Sequence, residues 1–245
     1  MEKVKYIHDE VTHNMSSPNI IIPIILNIVK VENVVDFGCG IGTWLKAFKN
    51  NGIKEVLGLD GKWVNIDLLH KYISEDEFKC VDLEKPITLD KKYDLVVSLE
   101  VVEHISENSA ETFIKSLVDA GKIILFSAAI PGQGGFNHIN EQWPSYWNEK
   151  FKAHNYVFHD IIRGHLWDMP EIEPFYKQNM FLVAHESINL PFDNQINFER
   201  NIVHPDYFLD VVNGIKRIES GRRGISFYIL ALMKRIRNYF KRENK

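Results

Sequence analysis

Short apolar runs alternate with stretches of helical period along most of this chain. "NVVDF" (33–37), "EVLGLD" (55–60), "FKCVDL" (78–83), "YDLVVSLE" (93–100) and "KIILFSA" (122–128) have the length and β-branched content of strands. Between them, "TWLKAFKNNG" and "AETFIKSLVDAG" carry apolar residues at helical spacing, and Gly52 and Gly121 are placed to end those helices. Apolar runs without alternation imply strands buried on both faces, and intervening helices imply parallel pairing. The pattern therefore predicts an α/β fold, a sheet with helices on both sides.

The flanking segments extend this reading. "NIIIPIILNIVKV" predicts a helix near the core, with "MSSP" supplying cap candidates, and it is too short to span a bilayer. After a long loop, "PSYWNEKFKAHN" predicts a helix, and "YVFHDII" and "NMFLVAHE" two strands able to close the sheet edge as an antiparallel pair. The polar region beginning at "LPFDN" sets a domain boundary, with a main domain over 1–190 and a helical appendage over 191–245. In the last helix Ile229, Leu232, Met233, Ile236 and Phe240 recur at helical spacing, with Lys234, Arg235, Arg237 and Lys241 between them. Such a basic amphipathic helix lies on an anionic membrane, or packs on the body or a twin subunit in a homodimer.

A chain of 245 residues, 45% hydrophobic and 25% charged, suits one soluble globular core with a small appendage. The net charge of −4 is unevenly spread: ten Lys/Arg stand against two acids from Gly214 onward, leaving 19 against 31 in the rest. An acidic body repels phosphates, which argues against a nucleic-acid partner. Cys39 and Cys80 form no disulfide framework, and the polar start "MEKVKYIHDEVTHN" is unlike a signal peptide. Both point to the cytoplasm, with the inner face of the membrane as the place for the basic helix.

Candidate chemistry gathers at the strand ends. "VVDFGCGIGTWL" (34–45) sets Asp36, Gly38, Cys39, Gly40 and Gly42 where the first strand turns into a helix. Glycines there let a ligand approach the backbone, and their D-x-G-x-G-x-G spacing differs from the dinucleotide fingerprint. Asp60 ends the second strand, where a carboxylate can accept both hydroxyls of a ribose. Asp82 ends the third, where it can accept from an adenine amine. Glu100, Glu103 and His104 follow the fourth strand, and such groups are costly beside a buried segment unless something there uses them. The loop "SAAIPGQGGFNHINEQWPSYW" (127–147) is long enough to be functional and can return His138 to the same pocket. His13 is a further candidate for lining it. Trp143, Tyr146 and Trp147 can stack on a substrate or pack in the core.

On these residues the sequence resembles the class I S-adenosylmethionine-dependent methyltransferases, over about residues 30 to 186. The resemblance implies a Rossmann-like fold with a mostly parallel seven-stranded sheet. It also implies that Asp36 and the Gly38, Cys39, Gly40, Gly42 loop cradle the methionine end. Asp60 would then take the ribose, Asp82 and Leu83 would lie by the adenine, and Glu100 would stand beside the methyl donor. E-x-x-E-H with a later histidine is similar to the metal-binding set of small-RNA 2′-O-methyltransferases and some quinone-pathway O-methyltransferases. That likeness implies a divalent Mn, Mg or Fe ion on Glu100, Glu103, His104 and His138. The same motif is similar to methyltransferases without a metal, in which Glu100 orients a ligand and His104 or His138 is the general base. No N/D-P-P-Y/F sequence follows the fourth strand, which favours an oxygen acceptor. "AAIPGQGG" with "HINEQWPSYW" resembles methyltransferases of bacterial surface or capsular polysaccharide biosynthesis. That resemblance implies a small-molecule acceptor: a sugar, a nucleotide-linked sugar, or a phosphoryl or phosphoramidate oxygen. A binding protein that kept the fold but lost the activity is the reading from another class, and the intact acids argue against it.

Overall fold

The computed structural model describes residues 14–190 and 202–243. His13 and most of the 190–194 boundary segment lie outside the described residues. The chain divides into two compact units, one up to Ile202 and one from Val203.

The first unit is built on seven strands: β1 (Asn33–Phe37), β2 (Glu55–Asp60), β3 (Phe78–Cys80), β4 (Leu95–Leu99), β5 (Ile123–Ser127), β6 (Tyr156–His159) and β7 (Phe181–His185). They form one sheet in the order β3-β2-β1-β4-β5-β7-β6. The first five run parallel, and β7 lies antiparallel between β5 and β6. The sheet is thus the seven-stranded, Rossmann-like α/β arrangement expected. The helices of this unit are α1 (Ser16–Ile28), α2 (Thr43–Asn50), α3 (Ile66–Leu69), α4 (Glu107–Ala120), α5 (Pro144–Lys152), α6 (Arg163–Leu166) and α7 (Pro174–Asn179).

Strand alternation sorts the core into two layers. Val34, Leu95, Val97 and Leu125 face Ile21, Ile22 and Ile25 of α1 and Leu45 and Phe48 of α2. Val35, Phe37, Val96, Ile124 and Phe126 face Ala110, Phe113, Ile114 and Leu117 of α4 and Phe151 of α5. The α4 positions fall at helical spacing, so one stripe of that helix is apolar and buries against the sheet. Each fully buried Phe or Leu contributes about 2 kcal/mol of hydrophobic stabilisation.

Three sequence expectations are corrected here, and one alternative left open, for Trp147, is decided. β3 is short and stops at Cys80, so Asp82 lies on the loop beyond the strand. Gly52 ends α2 in the left-handed region, at φ +94°, but Gly121 has extended backbone at φ −174°. It is a glycine for room, since a Cβ there would overlap the Tyr93 carbonyl. The "MSSP" serines do not cap α1: Met15 holds the cap position, and the Asn14 side chain accepts the Ser16 N–H at 2.8 Å. Trp147 packs against Phe126 in the core at 1% exposure, so it is a core residue and no substrate platform.

The second unit contains α8 (Pro205–Glu219) and α9 (Ile225–Glu243). The Tyr228 hydroxyl ties their turn by donating to the Ile218 carbonyl at 2.8 Å. On α9 Ile225, Ile229, Leu232, Met233 and Ile236 are all exposed. Among the described residues no helix is long and apolar enough to cross a membrane.

Candidate active site

The β1–α2 turn is shaped by three glycines, Gly38, Gly40 and Gly42, at φ +90°, +54° and +84°. A side chain is strained at such angles, and a Cβ on Gly38 would also overlap Val101. Backbone hydrogen bonds from Gly38 and Cys39 to the Leu59 carbonyl, at 2.7 and 3.2 Å, dock the turn on the end of β2. Asp60 completes the junction: its carboxylate accepts the Gly40 N–H at 2.8 Å and the Gly61 N–H at 2.6 Å. Burial pushes the Asp60 carboxyl up to about 6 despite these donors. Asp36 is buried nearby, and desolvation followed by the Asp60 charge holds its carboxyl well above the usual range. Desolvation, with the charges of Asp60 and Asp36, likewise raises the Cys39 thiol.

Asp82 and Leu83 lie just past β3, whose end is joined to β2 by the Val81 N–H bonded to the Asp60 carbonyl at 2.8 Å. Leu83 is buried, whereas Asp82 is exposed, accepts the Glu84 N–H at 3.1 Å and pairs with Lys85. Trp63 was not singled out by the sequence. Its indole covers Gly61, where a Cβ would overlap the ring, and it donates to Asp60.

At the tip of β4 the backbone bends sharply, with Glu100 at φ +54°. The Glu100 carboxylate takes the Gln133 side-chain amide at 2.7 Å and the Asn179 amide at 3.1 Å. Desolvation raises its carboxyl above the ordinary value, partly offset by those donors. A single turn, Val102–His104, follows. There Glu103 is fully buried; its side-chain oxygens make no hydrogen bond of good geometry among the described residues, and only the backbone amides of Glu103 and Ala129 lie near enough to favour the charge. Burial, then the Glu100 charge, hold its carboxyl well above the carboxylate range.

The 127–147 loop does bring His138 back. The His104 and His138 rings meet edge to face with centroids 4.9 Å apart. Ligand atoms of Glu103, His104 and His138 all lie within 4.8 Å of one another. Of the four metal ligands expected, these three converge; Glu100 is not among them, and its two oxygens accept from Gln133 and Asn179. Desolvation, with the adjacent His138, lowers His104 to about 4, so its imidazole is neutral at ordinary pH. Gln133 and Asn179 carried no local sequence signal. Glu141 carried one, its position three residues after His138.

A family model described as a methyltransferase domain matches residues 17–173. The chain belongs to this methyltransferase family. The chain is 27% identical over 168 residues to the mitochondrial ubiquinone biosynthesis O-methyltransferase of Dictyostelium discoideum, a match covering 60% of this chain and 49% of that protein. It is 24% identical over 174 residues to the ubiquinone biosynthesis O-methyltransferase of a Bradyrhizobium strain, covering 66% of this chain and 63% of the other. The chain thus spans about half to three fifths of the length of these relatives. Among solved structures, DesVI of Streptomyces venezuelae shares its fold, with a TM-score of 0.57, 12% identity, and coverage of 74% of this chain and all of the other. The methyl donor of the family is S-adenosylmethionine, and the chain fits it: a bare glycine turn beside two buried acids at the carboxyl ends of β1 and β2.

Proposed function

We propose that this S-adenosylmethionine-dependent methyltransferase transfers its methyl group to an oxygen of a small polar acceptor, with a divalent ion held by Glu103, His104 and His138. Glu103 carries the reading. A fully buried carboxyl helped only by the poorly aligned amides of Glu103 and Ala129 is expensive, and two imidazoles stand beside it. One carboxylate and two histidines form a donor set suited to Mn²⁺, Fe²⁺ or Mg²⁺ with positions left for an acceptor oxygen. When bound, such an ion supplies Lewis acidity that favours the ionised form of an acceptor hydroxyl. The chain's own residues do the rest. The glycine turn and Asp36 receive the methionine end, Asp60 accepts from the ribose hydroxyls, and Leu83 and Asp82 flank the adenine. Glu100, fixed by Gln133 and Asn179, orients the donor, and His104 is held neutral beside it.

The relatives' names favour an oxygen acceptor. A sugar, a nucleotide-linked sugar or a phosphoryl or phosphoramidate oxygen of surface polysaccharide synthesis rests on the resemblance of the 128–147 segment alone. The metal-free alternative has an observation of its own. His138 Nδ1 lies 2.9 Å from Glu141, the arrangement of a general base oriented by a carboxylate.

Calorimetric titration with Mn²⁺ separates the two. Wild-type protein is expected to bind one ion and Glu103→Gln none, with S-adenosylhomocysteine affinity equal in both. Chelated protein that keeps full turnover on an acceptor would rule out the ion and leave the acid/base site.

The free cysteines, one buried in the glycine turn and one exposed, support a reducing, cytoplasmic setting. We also propose that α9 rests on the anionic inner face of a membrane. Its exposed Ile229, Leu232, Met233 and Ile236 share one face, and the sequence places Lys234, Arg235, Arg237 and Lys241 on the other. Flotation with phosphatidylglycerol vesicles but not phosphatidylcholine vesicles is expected, and a salt-insensitive homodimer without vesicle binding would refute it.

A further inference from the structure

The 130–142 loop is organised around one side chain. Gly132 and Gly134, at φ +88° and +68°, turn their N–H groups onto the two oxygens of Glu141, at 2.8 and 2.7 Å. His138 Nδ1 shares the oxygen used by Gly134, at 2.9 Å. Gly135 makes the fold-back possible, because a Cβ there would overlap the His138 ring. Asn137, left-handed at φ +59°, aims its carbonyl at His104 Nδ1, 3.3 Å away. The next two residues fasten the loop to the third member of the cluster: Ile139 and Asn140 donate N–H bonds to the Glu103 carbonyl at 2.9 and 3.0 Å. Each oddity of "PGQGGFNHINE" therefore has a place in one construction.

A carboxylate and a backbone carbonyl only accept hydrogen bonds. The proton of each neutral imidazole must then sit on Nδ1, facing its acceptor, which leaves the lone pair on Nε2. We infer that Glu141 is a positioning residue, whose carboxylate folds the loop around itself and fixes His138 as the Nδ1–H tautomer. The Asn137 carbonyl does the same for His104, so both Nε2 lone pairs are set before any ligand arrives. The inference rests on Glu103, His104 and His138 acting as one functional cluster. It holds whether those lone pairs bind an ion or take a proton. Glutamate is required by count: three donors converge on two oxygens, and a glutamine would turn an NH₂ group against one of them.

Tautomers are read directly from long-range ¹H–¹⁵N correlations of ¹⁵N-histidine-labelled full-length protein, in chelator and at a pH where the imidazoles are neutral. His138 and His104 are both expected as Nδ1–H in wild type. An Nε2–H signal for His138 in wild type overturns the inference without recourse to any variant. Glu141→Met keeps the length and removes the acceptor, so His138 should shift to the Nε2–H form or a mixture. Glu141→Gln should restore Nδ1–H through its one oxygen, while its Gly132 amide exchanges faster with solvent. Unchanged S-adenosylhomocysteine binding shows that each variant is folded, and a folded Glu141→Met with the wild-type signal overturns the proposal. Mn²⁺ affinity gives the second readout, expected to fall about tenfold to a hundredfold in Glu141→Met. A tautomer shift in protein that binds no Mn²⁺ in any form would leave the positioning role standing and remove the ion.

Discussion

Asp60 and Glu103 are both buried acids held above the usual carboxylate range, but their situations differ. Asp60 has two backbone donors, so its raised value of about 6 makes a pH prediction with a definite sign. Ribose hydroxyls donate to the ionised carboxylate. S-adenosylmethionine affinity should therefore be flat above pH 6 and weaken by up to tenfold per pH unit below it. Calorimetry from pH 5 to 8 checks this, and Asp60→Asn should bind weakly with a flatter profile. The ligand-free protein behaves in the opposite sense. Because the folded state holds this proton more tightly than the unfolded state, stability falls as pH rises from about 4 to about 6. Above that the deficit is complete, at about 3 kcal/mol. Glu103, whose oxygens have only the poorly aligned Glu103 and Ala129 amides beside them, should trade stability for function. Glu103→Leu should raise the urea midpoint of chelated protein, by about 1–3 kcal/mol of stability, while abolishing Mn²⁺ binding. A lower midpoint would mean that the buried carboxyl has a stabilising partner. The sequence named Asp60 as the end of an apolar strand and Glu103 as part of the E-x-x-E-H turn after one. It could not tell them apart, since the difference lies in which amides the fold turns onto each carboxylate, and Asp60 receives those of Gly40 in the glycine turn and of its own neighbour Gly61.

Elements were legible where one period governed them. β1 and β2 have the limits their apolar runs predict, and α2 and α4 follow their stripes. Misreadings came where glycine or polar residues serve more than one purpose. A glycine that lends a left-handed φ and a glycine that lends room look alike in sequence. Gly52 is the first kind, Gly121 the second, and Gly38 both. Substitution separates them. Gly52→Ala has open space and should cost about 1 kcal/mol from backbone strain alone. Gly121→Ala should cost about 1–3 kcal/mol, because the Tyr93 carbonyl must move. Gly38→Ala should lose S-adenosylmethionine binding as well, and adding Val101→Ala should relieve only the steric share. Urea denaturation with parallel calorimetry distinguishes the three. Asp82 illustrates the other limit, for an edge strand ends where pairing ends, and β3 pairs on one side only.

At the scale of the whole molecule, the two units make separable predictions. Truncation after Arg223 should leave S-adenosylhomocysteine affinity within twofold and remove vesicle binding, measured by calorimetry and flotation; a truncated chain that no longer folds would show that α9 supports the core. The distribution of charge made the appendage legible as a distinct region, but which surface it meets was not written in its periodicity. Within the first unit, the order of strands has a consequence for how the protein is made. β7 is the last strand to be synthesised, yet it lies inside the row, and β6 has no other neighbour. Until β7 leaves the ribosome, β5 presents a bare apolar edge and β6 has nowhere to pair. Asn179, which steadies Glu100, emerges in the same stretch as β7. Closing the sheet and completing the active site are thus late events close together, and a nascent chain halted before Asn179 holds neither.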